Sequence, residues 1–410
     1  MNNIFTPTDI LLPKKELLEK WSVIACDQFS SQKDYWESVK AFVGDNPSTL
    51  NMIIPEAYLE EIDEKTQISL ISTAMDKYLS SDIFTEVNDS FIYVERTQPD
   101  GRVRKGIVGA LELDEYEFSP EKQGASIRAS EGTVLDRLPP RVKVRKAASL
   151  ELPHIMTFIN DKDGIVIEKL AENKYNLPKL YDFTLMEGGG SIKGYKVTGA
   201  DAEKVKKAIG KLSEQQTQSN QNDILMIMGD GNHSLAAAKV YWDEIKQNLT
   251  QEEREKHPAG KALVEINNVY DPAISFEAIH RVLFNIDAQA YIKEFENAVP
   301  PGNDYTIKWH YEDKSGKIGI KAECIGDMMT MMQEFMDEYV KKSGSIIDYI
   351  HGDDTTIKLA QDKNCLGLLL PSMDKSEMFE TVALRGVFPR KSFSVGHAKD
   401  KRYYLECRKI

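Results

Sequence analysis

The run GDGNHS, residues 229–234, sets Asp230, Asn232, His233 and Ser234 around two glycines. Five apolar residues, ILMIM, lead into it, and the alanine-rich LAAAK follows with helical spacing. A strand, a glycine-bracketed polar loop and a helix start together make an anion cradle. Gly229 and Gly231 let the backbone take positive φ and bring peptide N–H groups close to a ligand. The helix dipole adds about half a positive charge at the helix start. Asn232 or Ser234 can cap the helix and face a phosphate. His233 can donate to a phosphate or relay a proton. Asp230 suits a base, a hydroxyl acceptor or a metal ligand. The same string also fits a plain strand-to-helix turn in which Asp230 and Ser234 only cap. It is neither a Walker loop nor a GxGxxG fingerprint, because the third glycine position holds Ser234.

Other segments carry groups that could join this loop. IRASEGTVLDRLPPRVKVRK holds Arg128, Arg137, Arg141, Lys143, Arg145 and Lys146, together with Glu131 and Thr133. Guanidinium groups match phosphate oxygens in a bidentate way, although a solvated basic surface explains the cluster equally well. His280 and Arg281 in AIHRVLF, and Arg385, Arg390 and Lys391 in RGVFPRKSF, are further cationic candidates. Asp27 and Gln28 follow the apolar VIAC, where a strand end can open a pocket. GGGS, residues 188–191, reads as a hairpin turn before IKGYKV. Cys26 reads as a small buried residue, and no cysteine spacing suggests zinc. His154, His257, His310, His351 and His397 have no partner at ligand spacing and read as ordinary.

These groups need elements to position them. At 410 residues the chain allows two to three domains, drawn as 1–120 (N-terminal α/β), 121–289 (central) and 290–410 (C-terminal α+β). Helical and strand patterns alternate along the chain, which predicts an α/β (α+β) fold with mixed sheets. Helices are expected at 14–20, 31–42, 55–80 (one long helix or a pair), 201–216 and from the loop to about 245, with QTQSNQND (216–223) a polar loop. FIYVERT and VRKGIVGALEL flank a Pro-Asp-Gly turn, which predicts a hairpin. YTIKWHYED, KIGIKAECI and CLGLLLP read as strands. MMTMMQEFMDEYVKK reads as a helix whose methionines fill a core. The formal net charge of −13 argues against a nucleic-acid partner or an anionic membrane surface. No signal-peptide pattern and no 18-residue apolar run are present, so no membrane span and a cytoplasmic location are expected.

GDGNHSLAAAK resembles the DGHHR-type motif of the domain of unknown function 1015 family, with Asn232 and Ser234 where that motif has histidine and arginine. FTPTDILLP, VIACDQFSSQKDYW, IRASEGTVLDRLPPR, GGGSIKGY, AIHRVLF and RGVFPRKSF resemble that family's blocks in the same order along nearly the whole chain. The family's loop is similar to the phosphate-binding loop of the ParB/sulfiredoxin-like fold, which includes sulfiredoxins, ParB CTPases and a free serine kinase. The resemblance implies a central ParB/sulfiredoxin-like unit, a small phosphate-containing ligand and a nucleotide (ATP or ADP) with Mg²⁺. It implies a phosphotransferase (kinase-like) or phosphohydrolase acting on a small hydroxylated, serine-like metabolite. Asp230, His233 and, by analogy, the general base Glu131 would be catalytic. Gly229, Gly231, Asn232, Ser234, Arg128, Thr133, Arg137, Arg281 and Lys391 would bind phosphate or substrate. Ser234 departs from the motif by removing a fixed cation, which favours the alternative of a non-catalytic nucleotide or phosphometabolite-binding regulator.

Overall fold

The computed structural model describes residues 4–59, 61–120 and 124–220, with side chains to 217, and residues 224–410. The chain is a mixed α/β protein, as its alternating helix and strand patterns predicted, and divides into two compact units. The first comprises Met1–Ala129, Thr133–Ile274 and His397–Ile410; the second comprises Ser130–Gly132 and Ser275–Gly396. This division differs from the three consecutive segments drawn from the sequence. Strands on both sides of residue 120 share one sheet, and the last fourteen residues return to it.

The first unit is built on an 11-stranded sheet. Its strands are β1 (Phe5–Thr6), β2 (Thr8–Pro13), β3 (Phe84–Thr97), β4 (Val103–Glu112), β5 (Tyr116–Glu117) and β6 (Ile127–Arg128). Outside it, β7 (Leu150–Glu151) pairs with Arg408–Lys409. The sheet continues with β8 (Met156–Ile159), β9 (Lys179–Thr184), β10 (Ser191–Val197), β11 (Met226–Asp230) and β12 (Lys261–Asn268). The main order is β5-β6-β11-β8-β12-β4-β3-β10-β9. β5/β6, β6/β11 and β8/β12 are parallel, and the remaining pairs are antiparallel.

The expected hairpin is β3–β4, with Thr97 opposite Val103. Gly101 turns it at φ +89°, and the Asp100 carboxylate accepts the Arg102 amide at 2.9 Å. Residues 91–96 and 106–111 are buried without alternation, so both faces of the sheet centre are covered. GGGS is the turn from β9 to β10. A Cβ at Gly190 would sit 2.2 Å from the Thr97 carbonyl oxygen, and its φ of +82° suits glycine.

Helices fall close to expectation at Lys33–Val43 and Asn232–Ile245. Over 55–80, where one long helix or a pair was expected, a short helical turn at Glu56–Tyr58 precedes a helix that starts at Glu64, where the Asp63 carboxylate accepts the Thr66 amide, and runs to Ser80. The helix expected at 201–216 runs Gly199–Asn220, so the polar loop begins later; residues 221–223 lie outside the described residues. Among the described residues no helix is long and apolar enough to cross a membrane.

The C-terminal strap, residues 397–410, is held by a buried ion network. Glu265 on β12 accepts from Arg402 Nε at 2.8 Å and lies 3.7 Å from Arg104 Nε. Arg402 Nη2 donates to Glu406 at 2.7 Å, and Glu406 accepts the Tyr181 hydroxyl at 2.6 Å. Burial alone would raise the Glu265 carboxyl, but the Arg104 and Arg402 guanidiniums hold it below the usual carboxylate range. Arg408 and Arg145 both donate to Glu151.

The second unit is a six-stranded sheet of β13 (Phe276–Phe284), β14 (Pro301–Tyr311), β15 (Lys314–Ile320), β16 (Ile346–His351), β17 (Cys365–Leu369) and β18 (Phe393–Val395). All its pairs are antiparallel. Met328, Met329, Met332 and Met336 of the helix Ile325–Ser343 are buried, as expected of core filler.

Arg402→Met strands the buried Glu265 and Glu406 carboxylates. It is expected to destabilise the protein by about 3–5 kcal/mol, read from denaturant unfolding. Amides of residues 397–410 are expected to lose hydrogen-exchange protection.

Candidate functional site

The GDGNHS loop lies where β11 feeds the helix Asn232–Ile245. Gly231 adopts φ +83° before the first helical residue, and a Cβ there would lie 3.1 Å from Ile155 Cα. A Cβ at Gly229 would meet the Phe158 ring at 2.4 Å. Both glycines are therefore required by the protein's own packing. Ser234 and Leu235 donate their amides to the Gly231 carbonyl, closing the first turn. His233 Nε2 accepts the Val134 amide at 3.3 Å, which ties the segment after Thr133 to the loop.

Asp230 is the chemically unsatisfied member. Its Oδ2 is buried, has no hydrogen-bond donor, and lies 3.4 Å from Lys401 Nζ on the C-terminal strap. Both side chains are largely buried. Lys401 also acts on Asp27. Burial opposes ionisation there, but His154, the Gln28 side chain and Lys401 hold the Asp27 carboxyl below its ordinary range.

Ser234 borders a cavity of about 820 Å³ within the first unit. Ile53, Ile71, Met75 and Val144 give it an apolar wall, while Arg137, Arg141, His154 and Tyr404 add polar groups. The basic helix Leu138–Ala147 packs Leu138 and Val142 on Ala236 and Ala237 of the loop helix. Alanine lets the two helices approach closely, and this brings the cationic face to the cavity. Much of that charge is neutralised internally. Arg141 pairs with Glu56, Lys143 with Glu64, Arg145 with Glu151 and Lys146 with Glu244. Arg137, also on the cavity wall, has no carboxylate within ion-pair distance among the described residues. Arg128 on β6 is buried beside β11, and its Nε and Nη2 lack acceptors. Burial pushes its guanidinium below its ordinary value. The Thr133 hydroxyl is buried and unpartnered.

Asn232 is the first residue of the loop helix, and three further candidates, Glu131, Arg281 and Lys391, belong to the second unit. Glu131 Oε1 accepts the Ser392 amide at 3.2 Å, and the amides of Lys391 and Phe393 also favour its carboxylate. Lys391 has φ +59°, which turns these successive amides toward one point. Burial nevertheless pushes the Glu131 carboxyl up to about 7. Arg281 is fully buried on β13, stacked 4.4 Å from the Tyr349 ring centroid and bonded to Gln333 and the Ile279 carbonyl. Burial pushes it down to about 10.

His154, read from the sequence as ordinary, is buried with partners that its sequence spacing did not show. It is 5% exposed, its Nδ1 lies 2.9 Å from the Tyr404 hydroxyl, and its Nε2 lies 3.9 Å from Asp27. Lys401 and Tyr404 carried no sequence signal, since only the fold returns them to the loop. Burial and the neighbouring Asp27 charge push the Cys26 thiol up to about 12, which fits a small buried residue rather than a nucleophile.

Residues 6–380 match the family described as protein of unknown function (DUF1015). The chain belongs to this family. No curated protein matches it. Among solved structures, it is similar to a conserved hypothetical protein from Pyrococcus furiosus, at 10% identity and a TM-score of 0.35, covering 73% of this chain and 94% of that one. A variant free serine kinase in complex with ADP matches at 10% identity and a TM-score of 0.38, covering 74% and 92%. SbnI with a C-terminal truncation, from Staphylococcus aureus, matches at 9% and 0.35, covering 70% and 82%.

A carboxyl raised on folding, as at Glu131, contributes stability that is full below its unfolded pKa of about 4.3 and lost as pH rises through its folded value. Glu131→Gln removes that dependence. Its melting temperature relative to wild type is expected to climb between pH 4 and pH 8, measured by calorimetry.

Proposed function

We propose that the first unit binds a nucleotide in the cavity bordered by Ser234 and transfers a phosphoryl group between it and a small hydroxylated metabolite. The observation that carries this reading is Asp230: a buried carboxylate oxygen without a donor, beside the Lys401 ammonium, at the start of a helix. The cavity volume suits a nucleotide, and its mainly apolar wall suits a base. The helix N-terminus, Ser234 and Arg137 supply positive potential for phosphates. The acceptor oxygen attacks the terminal phosphorus as its bond to the bridging oxygen breaks. Asp230 takes the hydroxyl proton, and the nucleoside diphosphate leaves.

Among the described residues no group of three or more His, Cys, Asp or Glu side chains could hold a metal ion. Mg²⁺ in phosphoryl-transfer sites is held by one or two carboxylates plus substrate phosphates. Mg²⁺ would be carried by the nucleotide's phosphates and would supply charge neutralisation, and Asp230 keeps the role of base. Glu131, the other candidate base, belongs to the second unit and takes no role in this reading.

A second reading is a non-catalytic nucleotide-binding regulator. The engagement of His233 with the Val134 amide favours it, because that ring nitrogen is already used.

Calorimetry with ATP and ADP, followed by assay for a phosphorylated product with serine as the trial acceptor, separates these readings. Asp230→Asn is expected to keep ADP affinity within about threefold and to lower turnover by roughly 10²-fold or more. Absence of heat with either nucleotide removes both readings; binding without product leaves the regulator.

A further inference from the structure

We propose that Glu56 holds Arg141 in reserve as a second phosphate-binding cation of the cavity, so that the site selects a nucleoside polyphosphate over a monophosphate. The proposal rests on the nucleotide-binding reading above and names the ligand class and the regulation of that same site.

The charged groups of the cavity wall are mostly paired with one another. Lys33 pairs with Glu61, Arg141 with Glu56 and Arg145 with Glu151, and all of them line the cavity. Arg137 remains, with no carboxylate within ion-pair distance among the described residues. One guanidinium and a helix N-terminus suit a single phosphate. A second phosphate requires a cation that must first give up its partner.

The three pairs differ in whether they can do so. Glu151 is buried and also accepts from Arg408 Nε at 2.6 Å, so losing Arg145 would leave a buried carboxylate short of positive charge. Lys33 and Glu61 are each about half exposed, and water already screens that pair. Arg141 and Glu56 lie between these extremes, with side chains 26% and 21% exposed and Nη2 2.6 Å from Oε1. Glu56 can be rehydrated when it lets go, while the guanidinium it leaves is shielded enough to hold a phosphate.

Local structure confines the exchange to side chains. Arg141 Nη1 donates to the Arg137 carbonyl at 3.0 Å, which keeps the guanidinium against its own helix when Nη2 releases Glu56. The two arginines are four residues apart, about one helical turn, and both line the cavity. The Glu56 backbone is anchored separately. Its amide donates to the Cys26 carbonyl at 2.8 Å, and the Tyr58 hydroxyl, at the end of the same short turn, donates to Glu37 at 2.7 Å. A phosphate can therefore take Arg141 from the carboxylate without moving either backbone. Glu56 is an internal competitor: a ligand with one phosphate leaves the pair intact, and a ligand with two or more draws Arg141 across.

The test is calorimetry on the full chain with ADP and AMP. Glu56→Gln, which keeps the shape and removes the competing charge, is expected to tighten ADP by roughly fivefold or more and to leave AMP within about twofold. Arg141→Met is expected to weaken ADP by roughly fivefold or more, again sparing AMP. In the Arg141→Met background, Glu56→Gln is expected to add nothing, because the charge it unmasks is gone. A gain for ADP that survives there makes Glu56 a remote charge and overturns the proposal, as does an equal gain for AMP. The comparison of ADP with AMP in Glu56→Gln decides the matter by itself if Arg141→Met melts early. ADP heat in the wild type with no response to Glu56→Gln removes the reserve cation and leaves the nucleotide reading. No ADP heat in either protein removes both.

Discussion

Glu265 is the residue on which the first unit depends. A carboxylate buried in the middle of a sheet is strongly unfavourable unless cations and donors surround it. Here Arg402 and Arg104 flank it, and Asn267 donates a further hydrogen bond at 2.9 Å. Arg402 carries the network on to Glu406, so two buried acids share one guanidinium. Because Arg402 and Glu406 belong to the C-terminal strap, removing one partner would leave charge that only loss of the strap could hydrate. The strap adds backbone bonds to Leu11, Val23 and Ala25, which make its path specific.

That path is what turns a loop into a site. Lys401 immediately precedes Arg402, and Tyr404 follows two residues later. The ion network therefore delivers an ammonium to Asp230 and a phenol to His154 as a consequence of its own geometry. Within four residues Arg402 faces the buried acids, Lys401 faces Asp230 and Tyr404 faces His154.

The two readings of GDGNHS, turn and cradle, are both physically present. Gly229 and Gly231 answer to Phe158 and Ile155, and His233 to Val134, which is what a strand-to-helix turn requires. Asp230 is the exception, retaining a buried oxygen with no hydrogen bond and the Lys401 ammonium 3.4 Å away. The basic helix shows the same division. Four of its cations are consumed by Glu56, Glu64, Glu151 and Glu244, and Arg137 retains its charge toward the cavity. Charge clusters in a sequence overstate the charge available to a ligand, because distant carboxylates fold against them.

Local pattern alone determined the β3–β4 hairpin, the GGGS turn, the loop helix and the methionine-filled helix. In each case the cause is short-range: a Pro-Asp-Gly turn, positive φ at glycine, or apolar residues at helical spacing. The family was legible too, because its blocks occur in order along the chain. Tertiary structure alone decided that residues 397–410 rejoin the first sheet, that Glu131, Arg281 and Lys391 share the second unit, and that His154 has partners. Those outcomes come from pairing buried charges and strands across hundreds of residues. The energy of such a pair depends on distance in space, a quantity that spacing along the chain does not contain.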